Sequence, residues 1–157
     1  YKAALQEVYN DLRSQEAGLN ILDRPPVEAI EALTAFTYDY MAATPTFIKM
    51  VLAENLLQGE FIRAIESIPR SSRPLIETIQ TLLDRGEAAG VIQPGINAMQ
   101  LYISIVALSF IHISSRYTLS VTFGVDLSSE AIVTERRQHV VDLIGTYVKA
   151  QPSRSAG

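Results

Sequence analysis

The chain has 157 residues, of which 48% are hydrophobic and 19% charged, and this balance excludes an intrinsically disordered protein. Thirteen basic residues against seventeen acidic ones give a net charge of −4, which disfavours direct contact with nucleic acid or an anionic membrane. The absence of cysteine excludes disulfides, thiolate metal sites and cysteine nucleophiles, and two histidines leave few metal ligands.

Helical spacing and capping residues dominate the first half of the chain. The first helix shows apolar residues at intervals of three and four from the start and has no capping residue, so we expect its upstream part to lie outside this sequence. The predicted helices of this half are one over 1–17, one from Pro25-Pro26 to about Ala43, one from Thr44-Pro45 to Gln58, and a short one over 60–67.

The second half also reads as helical. Pro69 and the paired serines predict a loop over 68–73, and Asn97 with Gln100 forms a capping box. The predicted helices are one opened by Pro74 and ended by Gly86 and Gly90, a long one from Asn97 to about Tyr117, and a last one from Ser128 to about Lys149. The β-leaning run 121–125 is too short to build a sheet. We therefore predict an all-α bundle of about six helices, with one domain over 1–150 and a flexible tail over 151–157.

A charge-free stretch over 88–115 is the most membrane-like part of the sequence. Glycine, proline and amide residues interrupt it, and the apolar part that remains, 101–113, is shorter than the ~20 residues of a spanning helix. Residues 1–17 carry charge throughout, unlike a signal peptide. We expect a cytoplasmic protein with no membrane partner.

The last two predicted helices carry more apolar surface than one neighbour can cover. The long helix has two opposite apolar faces, and the final helix has an apolar arc of about 180°. We predict that these surfaces pair with a second copy in a two-fold four-helix interface; coverage by other helices of the same chain is the alternative. The predicted dimer contacts are Leu101, Ile105, Leu108, His112, Val133, Val140, Ile144 and Tyr147.

Motifs for metal binding and catalysis are missing. Glu135 and His139 are four residues apart instead of the three of a ferritin-like site, and no glutamate stands three residues before His112. The zinc-protease, nucleophile-elbow, dinucleotide and phosphate-loop patterns are also absent. We expect no catalytic residue, no metal and no cofactor, and hence no enzyme.

Aromatic residues and methionines are more numerous in the predicted core than a small bundle usually needs, which favours a small-molecule pocket. Glu54 interrupts an apolar helix and needs a partner, either as a structural pair or as a polar anchor for a ligand. The predicted ligand-binding residues are Phe36, Tyr40, Met50, Glu54, Tyr102, Val106 and Phe110. An ordinary solid core built from the same residues is the alternative.

Three segments carry a family resemblance. Residues 85–95 read Arg-Gly-Glu-Ala-Ala-Gly-Val-Ile-Gln-Pro-Gly, residues 100–102 read Gln-Leu-Tyr, and residues 115–127 read Ser-Arg-Tyr-Thr-Leu-Ser-Val-Thr-Phe-Gly-Val-Asp-Leu. Together with the opening Tyr-Lys-Ala-Ala-Leu, they resemble the C-terminal regulatory domain of tetracycline-repressor-like (TetR/AcrR) transcriptional regulators.

The resemblance implies a homodimer formed by the last two helices and a cavity for a small hydrophobic effector among the preceding ones. It also implies that DNA is contacted only through a helix-turn-helix module upstream of this chain. The expected function is therefore the effector-binding and dimerisation domain of a bacterial repressor. A ligand-free helical protein-interaction module is the alternative.

Overall fold

Seven α-helices make up most of the computed structural model, which describes residues 1–152. Their bounds are Lys2–Gly18 (α1), Pro26–Ala43 (α2), Pro45–Leu56 (α3), Ser67–Ala88 (α4), Ala98–Ser114 (α5), Arg116–Phe123 (α6) and Glu130–Val148 (α7). Short 3-10 helices lie at Ile21–Asp23 and Ile62–Ala64. No strand occurs within residues 1–152, so the all-α prediction is confirmed. Most of the predicted tail, residues 153–157, lies outside the described residues.

The second helix, α2, lies at the centre of the bundle and contacts α1, α3, α4, α5 and α7. Only Glu28, Asp39 and Ala43 of its residues are exposed. Its buried threonines satisfy their hydroxyl groups locally, because Thr34 and Thr37 each donate to the backbone carbonyl four residues earlier at 2.8 Å. This helix therefore brings polar groups into the core without leaving their hydrogen bonds unmade.

Three apolar clusters pack around this centre. The largest joins α2, α4, α5 and α7, the second joins α1, α2, α3 and α5, and a small third cluster packs α1 against residues 61–68. Arg137 of α7 and Asp39 of α2 form a two-pronged ion pair, with N–O distances of 2.7 and 2.8 Å. The helices that surround α2 are thus fixed by packing and by paired charges.

The start of α4 differs from the prediction. Residues 68–73 are helical instead of a loop, and the short helix predicted over 60–67 shrinks to the 3-10 turn. Pro69 falls in the first turn of α4, where its missing N–H has no intrahelical partner to lose. Pro74 lies inside the helix, next to exposed Arg73, and does not end it.

The long helix predicted to Tyr117 ends earlier. Its start is as predicted, since the Asn97 side chain accepts from the backbone N–H of Gln100 at 2.9 Å. The chain then bends by 70° after α5, and α6 takes up most of the β-leaning run before Gly124 ends it with a positive φ of 66°. The sequence prediction missed α6 because the run 121–125 has β propensity, and β propensity depends on tertiary context. Three residues of this run are helical in the structure.

The last helix begins one residue later than predicted. Ser129, not Ser128, accepts from the N–H of Ile132, while the N–H of Ser128 donates to Asp126.

No single helix within residues 1–152 is long and apolar enough to cross a membrane. Helices α5 and α6 reach that length and hydropathy only together, across their bend.

A buried glycine near the end of α4 tests the packing. The Gly86 carbonyl accepts from the N–H of Ile92, and a Cβ on Gly86 would lie 2.9 Å from the Ile92 Cβ and closer still to its outer carbons. We expect Gly86→Ala to lower the free energy of unfolding by about 1–3 kcal/mol, despite the higher helix propensity of alanine. Urea denaturation measures the loss.

The matched control is Gly18→Ala at the end of α1, where nothing lies within 4 Å of the added carbon. This variant should be neutral or slightly more stable. Equal effects of the two substitutions would contradict the packing described at Gly86.

Candidate functional site

A cavity of about 180 Å³ lies between α1, α2, α3 and α5, and we call it the inner chamber. Five aromatic rings contribute to its wall, and the remaining lining is mostly aliphatic. Its lining residues are Tyr9, Leu12, Arg13, Thr37, Tyr40, Met41, Phe47, Val51, Tyr102, Val106 and Phe110. Apolar walls with a few polar groups are typical of small-molecule sites.

Edge-to-face contacts hold the rings of the inner chamber. The Phe47 ring lies 5.7 Å from Tyr9 and 5.6 Å from Tyr40, measured between centroids, in the geometry that aromatic pairs favour. The Tyr40 hydroxyl reaches the Val8 carbonyl and the Asp11 carboxylate, at 3.2 and 3.1 Å. Burial and this carboxylate raise the pKa of Tyr40, so the hydroxyl stays protonated and remains a donor.

Three polar side chains close the inner chamber on one side, and we call them the polar partition: Arg13, Glu16 and Tyr102. The Arg13 Nη1 donates to Glu16 and, at 3.1 Å, to the Tyr102 hydroxyl, which itself donates to Glu16 at 2.8 Å. Glu16 is buried, and its side chain is only 2% exposed. The ion pair is what makes burial of this carboxylate tolerable.

The electrostatics of the polar partition keep Tyr102 neutral and Arg13 charged. Burial raises the pKa of Tyr102, and the Glu16 charge raises it further, although Arg13 acts in the opposite direction. Burial alone would lower the pKa of Arg13, but Tyr102 and Glu16 raise it overall. The partition therefore contains a neutral tyrosine between one positive and one negative charge.

Beyond the polar partition lies a surface cavity of about 430 Å³, the outer cleft, formed by the end of α1, the α1–α2 connection and α4. Exposed residues such as Asn20, Leu22 and Pro74 line it, so it opens to solvent. Arg13 lines both cavities, whereas Glu16 lines the outer cleft and Tyr102 the inner chamber.

A groove of about 430 Å³ runs between α5 and α7, and we call it the α5–α7 groove. It combines buried floor residues with exposed apolar ones such as Leu143 and Tyr147. Its lining residues are Gln100, Leu101, Ser104, Ala107, Leu108, Leu143, Ile144 and Tyr147.

Comparison with known proteins decides what kind of domain holds these features. The family described as "Tetracyclin repressor-like, C-terminal domain" matches residues 26–144, which is more than half of the chain. The chain belongs to this tetracyclin repressor-like family. Its members are transcriptional regulators, and the all-helical fold of residues 1–152 agrees with that assignment.

One curated relative is the HTH-type transcriptional repressor NicS of Pseudomonas putida, which is 27% identical over 141 residues. The match covers 90% of this chain and 66% of NicS, so the chain spans slightly less than two thirds of that protein's length. The match therefore leaves about a third of NicS without a counterpart in this chain.

Four of the seven predicted ligand-binding residues of this tetracyclin repressor-like domain line the inner chamber: Tyr40, Tyr102, Val106 and Phe110. Phe36 packs beside Tyr40, with 5.9 Å between ring centroids, but does not line the chamber. Their role in binding stays a prediction.

The other two predicted pocket residues lie elsewhere. Met50 packs into the small cluster around Leu5. Glu54 is buried, and its Oε2 accepts from the backbone N–H of Ile62 at 2.9 Å, so it supports the turn after α3 instead of facing the chamber. The aromatic count along the sequence could not separate these positions from the chamber wall.

Sequence reasoning missed Arg13 and Glu16. A signal for Glu16 was present, because it follows Leu5 and Leu12 on the buried stripe of α1, where a carboxylate must find a partner. The partner Tyr102 lies 86 residues further along the chain, and no local pattern connects the two.

The predicted dimer contacts stay a prediction, and the single chain shows where each of them lies. Five of the eight are buried inside the single chain, although two of them also form the floor of the α5–α7 groove: Leu101, Ile105, His112, Val140 and Ile144. Val133 packs against the second cluster, while Leu108 is half-buried and Tyr147 exposed. Helix α2 packs against the face of α5 that carries Leu101 and Ile105.

His112 serves the core of the chain. Its Nε2 lies 2.8 Å from the Leu127 carbonyl, and because a carbonyl only accepts, Nε2 is the donor. The Tyr38 hydroxyl lies 2.7 Å from Nδ1 and can donate to it. The histidine thus connects α2 and α5 to the segment before α7.

No cluster of three or more potential metal ligands occurs within residues 1–152.

The Tyr38 phenol should make the protein sensitive to alkali. Burial raises the pKa of Tyr38 to about 12, with Arg136 acting against the shift and Asp39 adding to it. The stabilisation that this shift reflects is complete below the unfolded pKa of about 10 and is lost as pH rises towards 12.

We expect the free energy of unfolding to fall by about 1–2 kcal/mol more in the wild type than in Tyr38→Phe between pH 10 and 12. The variant should be less stable at pH 7, because His112 loses a partner. Denaturant curves across this pH range measure both effects, and parallel pH profiles would contradict the assignment to Tyr38.

Proposed function

We propose that this chain is the effector-binding and dimerisation part of a cytoplasmic transcriptional repressor, and that a small, mostly apolar molecule occupies the inner chamber. The observation that carries the proposal is an aromatic-walled cavity inside a domain of the tetracyclin repressor-like family. DNA would be contacted by a helix-turn-helix module outside this chain, as the printed name of NicS suggests. The chain itself would have no catalytic role.

The chamber lies where a ligand could affect the whole helix α1. Tyr9, Leu12 and Arg13 of α1 all line it, so a molecule that fills it would bias the position of this helix. If α1 continues into the DNA-binding module, this bias changes the separation of two modules that must match half-sites about 34 Å apart. The coupling requires different effector affinities for the two arrangements.

Dimerisation would use the exposed side of α5 and α7. Ser104, Ala107 and Ile111 recur at helical spacing on α5 and are exposed, and Leu143 and Tyr147 recur on α7, 43% and 52% exposed. Small residues in this stripe allow close approach of helices, and pairing it around a two-fold axis gives a four-helix interface. This surface lies beside the buried residues among the predicted dimer contacts.

A charge in this surface tests the dimer. Leu143→Arg should convert a dimer at micromolar concentration into a monomer, because pairing would bury an unpaired guanidinium. Light scattering after size-exclusion chromatography gives the mass. The matched control is Leu56→Arg in α3, where the leucine is 85% exposed and the substitution should leave the mass unchanged. A Leu143→Arg protein that stays dimeric contradicts the assignment.

Ligand binding to the wild-type protein and to a variant with a filled chamber tests the effector site. A screen of small hydrophobic compounds should find ligands that stabilise the folded protein by about 2.7 kcal/mol at a hundred times Kd, seen as a rise in melting temperature that grows with the logarithm of the ligand concentration. Val106→Phe should abolish this rise because the larger side chain occupies the chamber. Ile103→Phe, on the exposed side of the same helix, should retain it. No stabilisation by any compound would favour the ligand-free interaction module instead.

A further inference from the structure

The short helix α6 exposes large apolar side chains that its own chain does not cover. None of its residues is buried, and it packs mainly against α5. Tyr117, Val121 and Phe123 are 71%, 84% and 68% exposed, and Val125, just after the helix, is 46% exposed. A monomeric soluble protein rarely exposes large apolar side chains in such a group, and exposed groups of this kind mark contacts with other molecules.

Hydrogen bonds hold this helix and the segment that follows it in place, and we call the two together, residues 116–127, the α6 arm. The Ser120 hydroxyl accepts from the backbone N–H of Leu127 at 3.0 Å. The Leu127 carbonyl accepts from Nε2 of the buried His112 on α5 at 2.8 Å. The exposed apolar side chains therefore lie on an ordered backbone, which lowers the entropic cost of binding a partner.

Charged residues are almost absent from this part of the chain. Between residues 98 and 125, which span α5 and most of the α6 arm, Arg116 is the one residue among lysine, arginine, aspartate and glutamate. Its guanidinium lies over the Tyr117 ring, with Cζ 5.0 Å from the centroid, and Nη2 donates to the Tyr117 hydroxyl at 3.1 Å. The centres of protein–protein interfaces are depleted of charge and enriched in tyrosine and arginine. A partner of this surface must itself be mostly apolar.

The α6 arm continues the surface that we propose for dimerisation. The exposed stripe Ser104, Ala107 and Ile111 follows one side of α5, and Ile111 lies in the last turn of that helix, five residues before α6 begins. A second copy that packs on this stripe therefore reaches the end of α5 from which the arm projects.

The size of a stable interface indicates that the stripe needs an addition. A stable complex buries about 800 Å² and roughly 20–30 residues on each partner. The α5–α7 groove is lined by eight residues, and Leu101 and Ile144 among them are buried within the chain. The α6 arm supplies large exposed side chains directly next to this groove-bearing helix. Tyr117 and Val121 are four residues apart and so lie on the same side of α6.

We propose that the α6 arm packs on a second copy of this chain, with Tyr117 and Val121 of each copy extending the dimer contact beyond the four helices α5 and α7. This inference rests on the proposed function, from which it takes the dimer through α5 and α7. It adds a second interface element that the prediction from the last two helices did not include.

A spin label on the arm tests whether a second copy covers it. The chain has no cysteine, so Val121→Cys provides a single attachment site for a nitroxide in each copy. The electron paramagnetic resonance spectrum should show an immobilised label in the dimer and a mobile one after dilution to the monomer. Adding Leu143→Arg, which should prevent dimerisation, should also give a mobile label. The matched control is Leu56→Cys, because Leu56 is 85% exposed and Val121 84%; its label should stay mobile in every sample.

The strength of the dimer gives a second, independent readout. Val121→Lys should raise the Kd of the dimer at least about tenfold, because pairing would desolvate the added ammonium group. Leu56→Lys should leave this Kd unchanged. Sedimentation velocity over a range of concentrations measures both values, and circular dichroism checks that both variants remain folded.

The arm and the dimer fail in different ways. A wild-type dimer in which the label at 121 is as mobile as the label at 56, or in which Val121→Lys leaves Kd unchanged, overturns the role of the arm. The dimer through α5 and α7 then stands. A label at 121 that is already immobilised in the monomer also overturns it, because the chain's own residues would cover the arm. A wild-type protein that is monomeric up to millimolar concentration overturns both the arm and the proposed dimerisation.

Discussion

The burial of α2 is the constraint on which the rest of the structure depends. Five other helices pack around it, and it contributes Thr37, Tyr40 and Met41 to the wall of the inner chamber. Its polar groups are satisfied within the core, by backbone carbonyls for the threonines and by His112 for Tyr38. Because α2 packs on one face of α5, the neighbouring face is left exposed beside α7. The inner chamber lies beside Tyr40 of α2, between the aromatic rings that form its wall.

Much of the helical arrangement could be predicted because its signals are local. Prolines in the first turn and the Asn97 cap set the starts of α2, α3 and α5 within the sequence itself. The same rules failed at α4, because a proline can be accommodated inside a helix, and at α6, because an eight-residue helix with β-branched residues carries no periodic signal. The bend after α5 depends on tertiary packing and has no local signature.

The site could be predicted only in part. Composition and helical wheels identified Tyr40, Tyr102, Val106 and Phe110, since large aromatic residues on an inward face are visible in the sequence. The polar partition could not be found this way, because Arg13 and Tyr102 meet across 89 residues. The wheel of α5 also gave two apolar faces without showing which one α2 would cover, and five of the eight predicted dimer contacts are buried within the chain.

The central claim is that the inner chamber is a real, apolar space that a small guest can occupy. Diffraction from crystals of the protein held under xenon pressure tests it directly, because xenon enters dry apolar cavities and scatters strongly. The account predicts a xenon atom inside the chamber, among Tyr40, Phe47 and Val106, with the surrounding rings in place. Side chains packed through this volume, with xenon bound only elsewhere, would contradict it.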